Sequence, residues 1–338
     1  MNSLDSDMQA VVDQLKKFKS PPIETLDYGN ARNTPTFKNA VEEMAANSLA
    51  ARAMNVAIPA MPEPVGKIEH TLIPTRDGEV LARIYTPDAD GPLPILVYFH
   101  GGGWVIANLD VYESSCRALC NAAECIVVSV NYRQAPENPY PAAVNDAYDA
   151  TQWALQNAAS LGGDPVRVAV SGESAGGNLA TVCCLIAIKE GGQMPVAQLL
   201  IYPVTDLVGQ DYASYSENTE TQPLHTSMMP WFGKYYIPDE TRRSEPTASP
   251  LLATDVSSLP PAIVITAEHD PLRDQGEAYA KKLKDAGVPV FYQRYDGVTH
   301  EFFGLAGAVG KAKEALTDAS RELRAIWGQD QSNARAAR

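Results

Sequence analysis

The stretch RVAVSGESAGGNLAT, residues Arg167 to Thr181, decides the fold prediction. Its apolar residues Val168 to Val170 predict a short buried strand, and apolar residues at helical spacing after Ser174 predict a helix. The G-x-S-x-G pattern between them is typical of a sharp turn that presents the serine in front of a helix N-terminus, where negative charge is favoured. A glycine-rich turn with an incidental serine would have the same pattern, so the rest of the chain must decide.

The composition limits the possible partners and compartment. The chain has 338 residues and a net charge of −14, which argues against nucleic acid and anionic membrane surfaces as partners. The N-terminal residues lack a signal-peptide core, and no stretch reaches the roughly 18 apolar residues of a membrane span. The cysteines are odd in number and lie in apolar surroundings, so we expect buried, reduced thiols and a cytoplasmic protein: Cys116, Cys120, Cys125, Cys183 and Cys184.

The order of apolar patterns predicts one α/β core with two additions. Two helical patterns lie within residues 1–60, and from residue 61 strands alternate with helices, which is typical of βαβ units and a mostly parallel sheet. The alternation stops at 206–250, an irregular aromatic stretch that we interpret as an insertion above the sheet, and resumes over 251–328. We therefore expect 61–205 and 251–328 to form the core, the N-terminal helices to pack on another part of the protein, and 329–338 to be a flexible tail.

Two residues downstream of Ser174 could complete its chemistry. A serine hydroxyl is a poor nucleophile and needs a base, and in an α/β-hydrolase sheet the chain order is Ser, then Asp or Glu, then His. This order favours His300, which follows a late strand, over His100. Asp270, at the end of another strand, is the predicted acid, and Asp206 is the alternative. A surface-loop histidine and a helix N-cap are the competing interpretations of His300 and Asp270.

The segment from His100 to Gly103 follows a predicted central strand and predicts a set of oxyanion donors. Glycines let the backbone approach a substrate and aim its N–H groups inward. Gly102 and Gly103 would supply two donors, and Ala175 would supply a third. A tight turn at the end of a strand is the alternative interpretation. We expect His100 to brace this loop.

Five motifs in this order resemble the hormone-sensitive-lipase-like esterases, also called bacterial family IV, of the α/β-hydrolase superfamily. They are HGGGW (100–104), YRQAPE (132–137), GESAGG (172–177), EHDPLRD (268–274) and DGVTHEF (296–302). The resemblance spans about 68–327 and implies an α/β-hydrolase fold, with a mostly parallel central sheet flanked by helices. It also implies a helical cap built from the N-terminal helices and the 206–250 insertion.

The resemblance assigns roles residue by residue. It implies Ser174 as nucleophile, Asp270 as acid and His300 as base, with an oxyanion hole formed by Gly102, Gly103 and Ala175. The chain departs from the family pattern at Glu173, where Asp is usual, and at Gln134, where Leu is usual. We expect these departures to affect the fine substrate preference and not the chemistry. Three further charged residues match family positions and are expected to hold the loops together: Arg133, Glu137 and Asp146.

The sequence therefore predicts a serine carboxylesterase that hydrolyses short- to medium-chain acyl esters through an acyl-enzyme intermediate, without a metal or cofactor. The expected partner is a small-molecule ester, and pairing through an edge strand, as in many family members, would give a homodimer. An amidase, deacetylase or carbamate hydrolase with the same triad is one alternative. A non-catalytic small-molecule receptor is another, although the gibberellin receptors on this scaffold lack the histidine that His300 supplies here.

Overall fold

One sheet lies at the centre of the protein. The computed structural model describes residues 3–52, 63–209 and 211–328, and within these residues eight strands pair in the order β1-β2-β4-β3-β5-β6-β7-β8. β1 and β2 run antiparallel to their neighbours, and all the other pairs are parallel. This confirms the predicted α/β fold. The strands are β1 Lys67–Thr75, β2 Gly78–Thr86, β3 Leu93–Phe99, β4 Ile126–Val130, β5 Gly163–Glu173, β6 Gln198–Ile201, β7 Ala262–His269 and β8 Val290–Thr299.

Helices flank both faces of the sheet. The α-helices of the described residues are α1 Ser6–Lys17, α2 Tyr28–Ala31, α3 Phe37–Arg52, α4 Glu113–Ala122, α5 Ala142–Asn157, α6 Ala175–Glu190, α7 Ala213–Glu217, α8 Met229–Tyr236, α9 Arg273–Asp285 and α10 Gly310–Ile326. Short 3-10 helices lie at Ile23–Thr25, Ala158–Leu161, Thr226–Met228, Glu240–Ser244, Pro250–Leu252 and Phe303–Leu305. None of the helices in the described part of the chain is both long enough and apolar enough to cross a membrane.

The central strand β3 shows how the sheet divides the core. All seven of its residues are buried, as expected of a strand covered on both faces. Because side chains alternate along a strand, Ile95 and Val97 pack among residues of α5, α6 and α9, whereas Leu96 and Tyr98 pack among residues of α1, α4 and α10. The sheet thus carries one apolar layer on each face.

The parallel strands bring the candidate catalytic residues to one edge. β5 ends at Glu173, β7 at His269 and β8 at Thr299, so Ser174, Asp270 and His300 each directly follow a strand. The carboxyl ends of parallel strands meet at the same edge of a sheet, which is where such folds place their chemistry. β3 delivers the glycine-rich segment from His100 to the same edge.

The N-terminal helices and the 206–250 stretch contact each other. The Trp231 indole N–H donates to the Leu26 carbonyl oxygen at 3.0 Å, and the rings of Tyr28 and Tyr235 meet edge to face. The stretch is less irregular than expected, because it contains α7 and α8. The proposed division of the chain into core and cap stays a prediction. Its predicted tail, 329–338, and residues 53–60 of the predicted N-terminal unit lie outside the described residues.

Buried and half-buried ion pairs connect the loops near the carboxyl ends of the parallel strands. Asp146 is fully buried and accepts hydrogen bonds from the backbone N–H and the guanidinium of Arg133 at 2.8–3.1 Å. Glu137 does not share this pair. It bonds instead to Arg32, at 2.7 Å, so Arg133, Glu137 and Asp146 take part in two separate links.

We expect Asp146→Ala to lower the free energy of unfolding by about 3 kcal/mol or more, because it removes the buried carboxylate that accepts from the backbone N–H and the guanidinium of Arg133. Asp285→Ala is the matched control, since the Asp285–Lys281 pair is largely exposed and should contribute less than about 1 kcal/mol. Urea unfolding of both variants measures the difference. Equal losses would show that the Arg133–Asp146 pair has no special role in stability.

Candidate active site

Ser174 occupies a strained turn between β5 and α6. Its φ of 57° and ψ of −118° are rarely adopted by a residue with a side chain. The flanking glycines are required by close approach: a Cβ on Gly172 would lie 2.2 Å from the carbonyl carbon of Gly176, and one on Gly176 would lie 1.9 Å from the Phe99 carbonyl oxygen. The two glycines of the G-x-S-x-G pattern are therefore required by the geometry of this turn, which holds Ser174 at the N-terminus of α6.

Asp270 and His300 form a buried pair. The His300 Nδ1–H donates to Asp270 Oδ2 at 2.7 Å, and the two side chains are almost completely buried. The other carboxylate oxygen of Asp270 accepts from the Leu272 N–H at 2.8 Å, so this aspartate also fixes the backbone ahead of α9. Asp206, the alternative acid, instead accepts from the Tyr212 hydroxyl at 2.6 Å.

The charge around His300 favours its protonated form. Burial is the largest single influence and lowers the pKa of His300, but the charge and hydrogen bond of Asp270 raise it, as do the charges of Glu301 and Glu173. The net effect raises the pKa of His300 above its ordinary value. An imidazole held in this way is a stronger base, and it must lose its proton before it can accept another.

Ser174 and His300 line one cavity of about 530 Å³, together with Gly102 and Gly103. Among the described residues, no hydrogen bond joins the Ser174 hydroxyl to His300, and none occupies the N–H groups of Gly102, Gly103 or Ala175. Catalytic hydrogen bonds are often long in unliganded sites and tighten with substrate. The structure thus gathers one hydroxyl, one oriented imidazole and free backbone donors at a single place.

His100 braces the glycine loop and is unsuited to act as a base. Burial lowers the pKa of His100 to about 4, so the ring is neutral at physiological pH. Its Nδ1–H donates to the Gly101 carbonyl oxygen at 2.8 Å, and the ring stacks on Tyr132 with centroids 4.3 Å apart.

Two carboxylates that sequence reasoning did not place at the site lie close to His300. Glu173 is buried and accepts hydrogen bonds from the hydroxyls of Tyr98 and Tyr202. The ring of Tyr202 packs against the His300 imidazole, with ring centroids 4.6 Å apart. Glu301 lines the cavity and accepts from the Tyr112 hydroxyl at 2.9 Å. In the sequence, each is the direct neighbour of a candidate catalytic residue, and Glu173 also departs from the family pattern, but neither feature predicts these contacts.

A protein-family model described as alpha/beta hydrolase fold matches residues 96–304. The chain belongs to this α/β-hydrolase family. The resemblance to the hormone-sensitive-lipase-like esterases is thereby confirmed, and the match includes the turn at Ser174 and the segment that carries Asp270 and His300.

Named relatives of this α/β hydrolase cover most of its length. It is 41% identical over 286 residues to the carboxylic ester hydrolase LipN of Mycobacterium tuberculosis, a match that covers 82% of this chain and 76% of LipN. It is 42% identical over 245 residues to an arylesterase of Saccharolobus solfataricus, with 72% of this chain and 79% of that protein covered. The solved structure of a hyperthermophilic esterase from Pyrobaculum calidifontis superposes with a TM-score of 0.82 at 37% identity, covering 96% and 99% of the two chains.

The bond between His300 and Asp270 leads to a prediction about the pKa of His300. We expect His300 to titrate above about 6.5, the ordinary value for histidine. Asp270→Asn should lower the pKa of His300, because it removes the negative charge that opposes the effect of burial. NMR titration of the imidazole measures both. Asp206→Asn is the matched control and should leave the His300 pKa unchanged, since that carboxylate bonds elsewhere; an equal shift from this variant would contradict the assignment.

Proposed function

We propose that this protein is a serine carboxylesterase with Ser174 as nucleophile, His300 as general base and Asp270 as the residue that orients His300. The observation that carries the proposal is the buried 2.7 Å bond between His300 and Asp270 at the wall of the cavity that Ser174 lines. The ester-hydrolase names of its relatives support the same reaction class.

The reaction begins when His300 accepts the Ser174 hydroxyl proton and the serine oxygen attacks the ester carbonyl carbon. Asp270 holds the imidazole in the tautomer that leaves Nε2 free to accept, and its charge stabilises the imidazolium. The imidazolium then gives the proton to the departing alcohol oxygen as the carbon–oxygen bond breaks, which leaves an acyl-enzyme. Water repeats the attack with the same base, and the carboxylic acid is released.

Backbone N–H groups would stabilise the negative charge that develops on the carbonyl oxygen. Gly102, Gly103 and Ala175 are the proposed donors, and Ala175 is the first residue of α6, where helix N–H groups have no partner within the helix. Donors already in position cost no reorganisation when the charge forms. The sequence of steps needs neither a metal nor an organic cofactor.

The cavity supports a preference for short- to medium-chain acyl groups. Its volume of about 530 Å³ lies within the range of small-molecule sites, and apolar side chains such as Ile23, Leu224, Met228 and Phe232 form part of its lining. Because these come from the N-terminal segment and the 206–250 stretch, we propose that the two together form a cap. The buried free cysteines support a reducing, cytoplasmic compartment. A homodimer formed through an edge strand stays a prediction.

We expect Ser174→Ala to lower kcat/KM for p-nitrophenyl butyrate by about 10⁴-fold or more, because the attacking oxygen is removed. Ser171→Ala is the matched control: Ser171 is a buried serine of β5, three residues earlier, and its hydroxyl lies outside the cavity lining. Circular dichroism should show both variants folded. Retained activity in folded Ser174→Ala would refute the assignment of the nucleophile.

The cavity size sets the expected substrate series. With p-nitrophenyl esters from acetate to palmitate, we expect the highest kcat/KM at short or medium chains and a steep fall for long chains, because side chains of the N-terminal segment and of the 206–250 stretch line the cavity and would limit the chain length that it accepts. Steady-state rates with each ester measure the profile, and the matched p-nitroanilides measure amide cleavage. A maximum at palmitate would contradict the proposed substrate class, and faster cleavage of the anilides would favour an amidase.

A further inference from the structure

The loop from Gly102 to Ala107, which carries two of the proposed oxyanion donors, is held in an unusual backbone conformation. φ is positive at Gly102 (97°), Gly103 (57°), Trp104 (60°) and Ala107 (65°). Two of these residues have side chains, for which such angles are unfavourable and persist only when the surroundings impose them. The contacts that impose this conformation therefore control the direction of the donors.

One peptide plane shows how the direction is set. The Gly102 carbonyl oxygen accepts hydrogen bonds from the N–H groups of Val105 and Ile106, at 3.1 and 2.9 Å. In a trans peptide the C=O and the following N–H point in opposite directions. Fixing the Gly102 carbonyl inside the loop therefore turns the Gly103 N–H away from it, and the aim of this donor depends on where Ile106 lies.

Gln134 holds Ile106 in place from outside the loop. Its side-chain amide nitrogen donates to the carbonyl oxygens of Ile106 and Ala107, at 2.7 and 3.1 Å. A single amide nitrogen thus reaches the carbonyl oxygens of two successive residues. Leucine, the usual residue at this place in the family pattern, has no donor and could not make these bonds.

Arg32 secures the preceding carbonyl. Its guanidinium donates to the Val105 oxygen at 2.8 Å and to the Ala135 oxygen at 2.9 Å, while Glu137 binds the same guanidinium. Side chains from two distant parts of the sequence thus hold three successive carbonyls of the loop, at 105, 106 and 107.

We propose that Gln134 is a positioning residue for the oxyanion hole: it anchors Ile106 and thereby aims the Gly103 N–H at the reacting carbonyl oxygen. The inference rests on the proposed function, since it assigns a role within that reaction. It also gives a role to a departure from the family pattern, because the amide nitrogen that leucine would lack bonds to the loop.

The test compares Gln134→Leu and Gln134→Glu with wild type. Leucine is the usual family residue, and glutamate keeps the shape of glutamine but offers oxygens in place of the two N–H bonds. We expect each variant to lower kcat by about 10-fold with little change in KM, which is less than the 10²–10³-fold typical for loss of a donor itself. The inhibition constant of an alkyl trifluoromethyl ketone should rise by a similar factor, because its serine adduct carries an oxyanion.

Gln152→Leu is the matched control. Gln152 also bonds to the backbone of a loop, through the carbonyl oxygen and N–H of Gln193, but it lies outside the cavity lining. It should change neither kcat nor the inhibition constant, whatever it does to the melting temperature.

Three results would overturn the inference. They are kcat and the inhibition constant of both Gln134 variants staying within twofold of wild type, a rise in KM alone, or an equal loss of kcat in Gln152→Leu. The proposed function would survive each of these results. Wild-type protein without esterase activity would instead contradict the proposed function and the inference with it.

Discussion

At the turn between β5 and α6, backbone atoms approach so closely that no side chain fits at Gly172 or Gly176, the glycines two residues before and after Ser174. Gly176 lies against the end of β3, at the Phe99 carbonyl, so the start of α6 packs directly on the strand that leads into the glycine loop. The buried Asn178 carboxamide then ties α6 to the carbonyl oxygens of Val204 and Ala248, both at 2.9 Å. These contacts fix the start of α6 and thereby hold the strained serine conformation.

Electrostatics at the site follow from burial and from the order of the strands. Asp270 and His300 follow adjacent parallel strands, which brings them within 2.7 Å and keeps both from solvent. A buried imidazole would ordinarily lose its proton readily, yet Asp270, Glu301 and Glu173 supply enough negative charge to reverse that tendency. In contrast, His100 has no such charge beside it and remains neutral because burial lowers its pKa. Two histidines close to one cavity are thus suited to different tasks.

The sequence predicted the parts of this arrangement that depend on local pattern or on motif order. Buried strands, flanking helices and the fold were predictable from apolar periodicity, and Asp270 was singled out with His300 because both follow strands. The partner of Glu137 was not predictable, since Arg32 lies 105 residues earlier in the chain and only the folded protein brings them together. The role of Gln134 was missed for the same reason, because its acceptors are backbone atoms of a loop far away in sequence. The short helices α7 and α8 were missed because packing against the rest of the protein, and not their own periodicity, stabilises segments this short.

The central claim is that the hydroxyl of Ser174, the imidazole of His300 and the N–H groups of the glycine loop act on one carbonyl group. A crystal structure of the protein after reaction with a p-nitrophenyl alkylphosphonate tests it most directly, because the adduct mimics the tetrahedral intermediate. The account predicts phosphorus bonded to Ser174 Oγ, with the phosphoryl oxygen within about 3.1 Å of the N–H groups of Gly102, Gly103 and Ala175 and with His300 Nε2 beside the serine oxygen. Phosphorus on another residue, or a phosphoryl oxygen that faces away from these N–H groups, would contradict it.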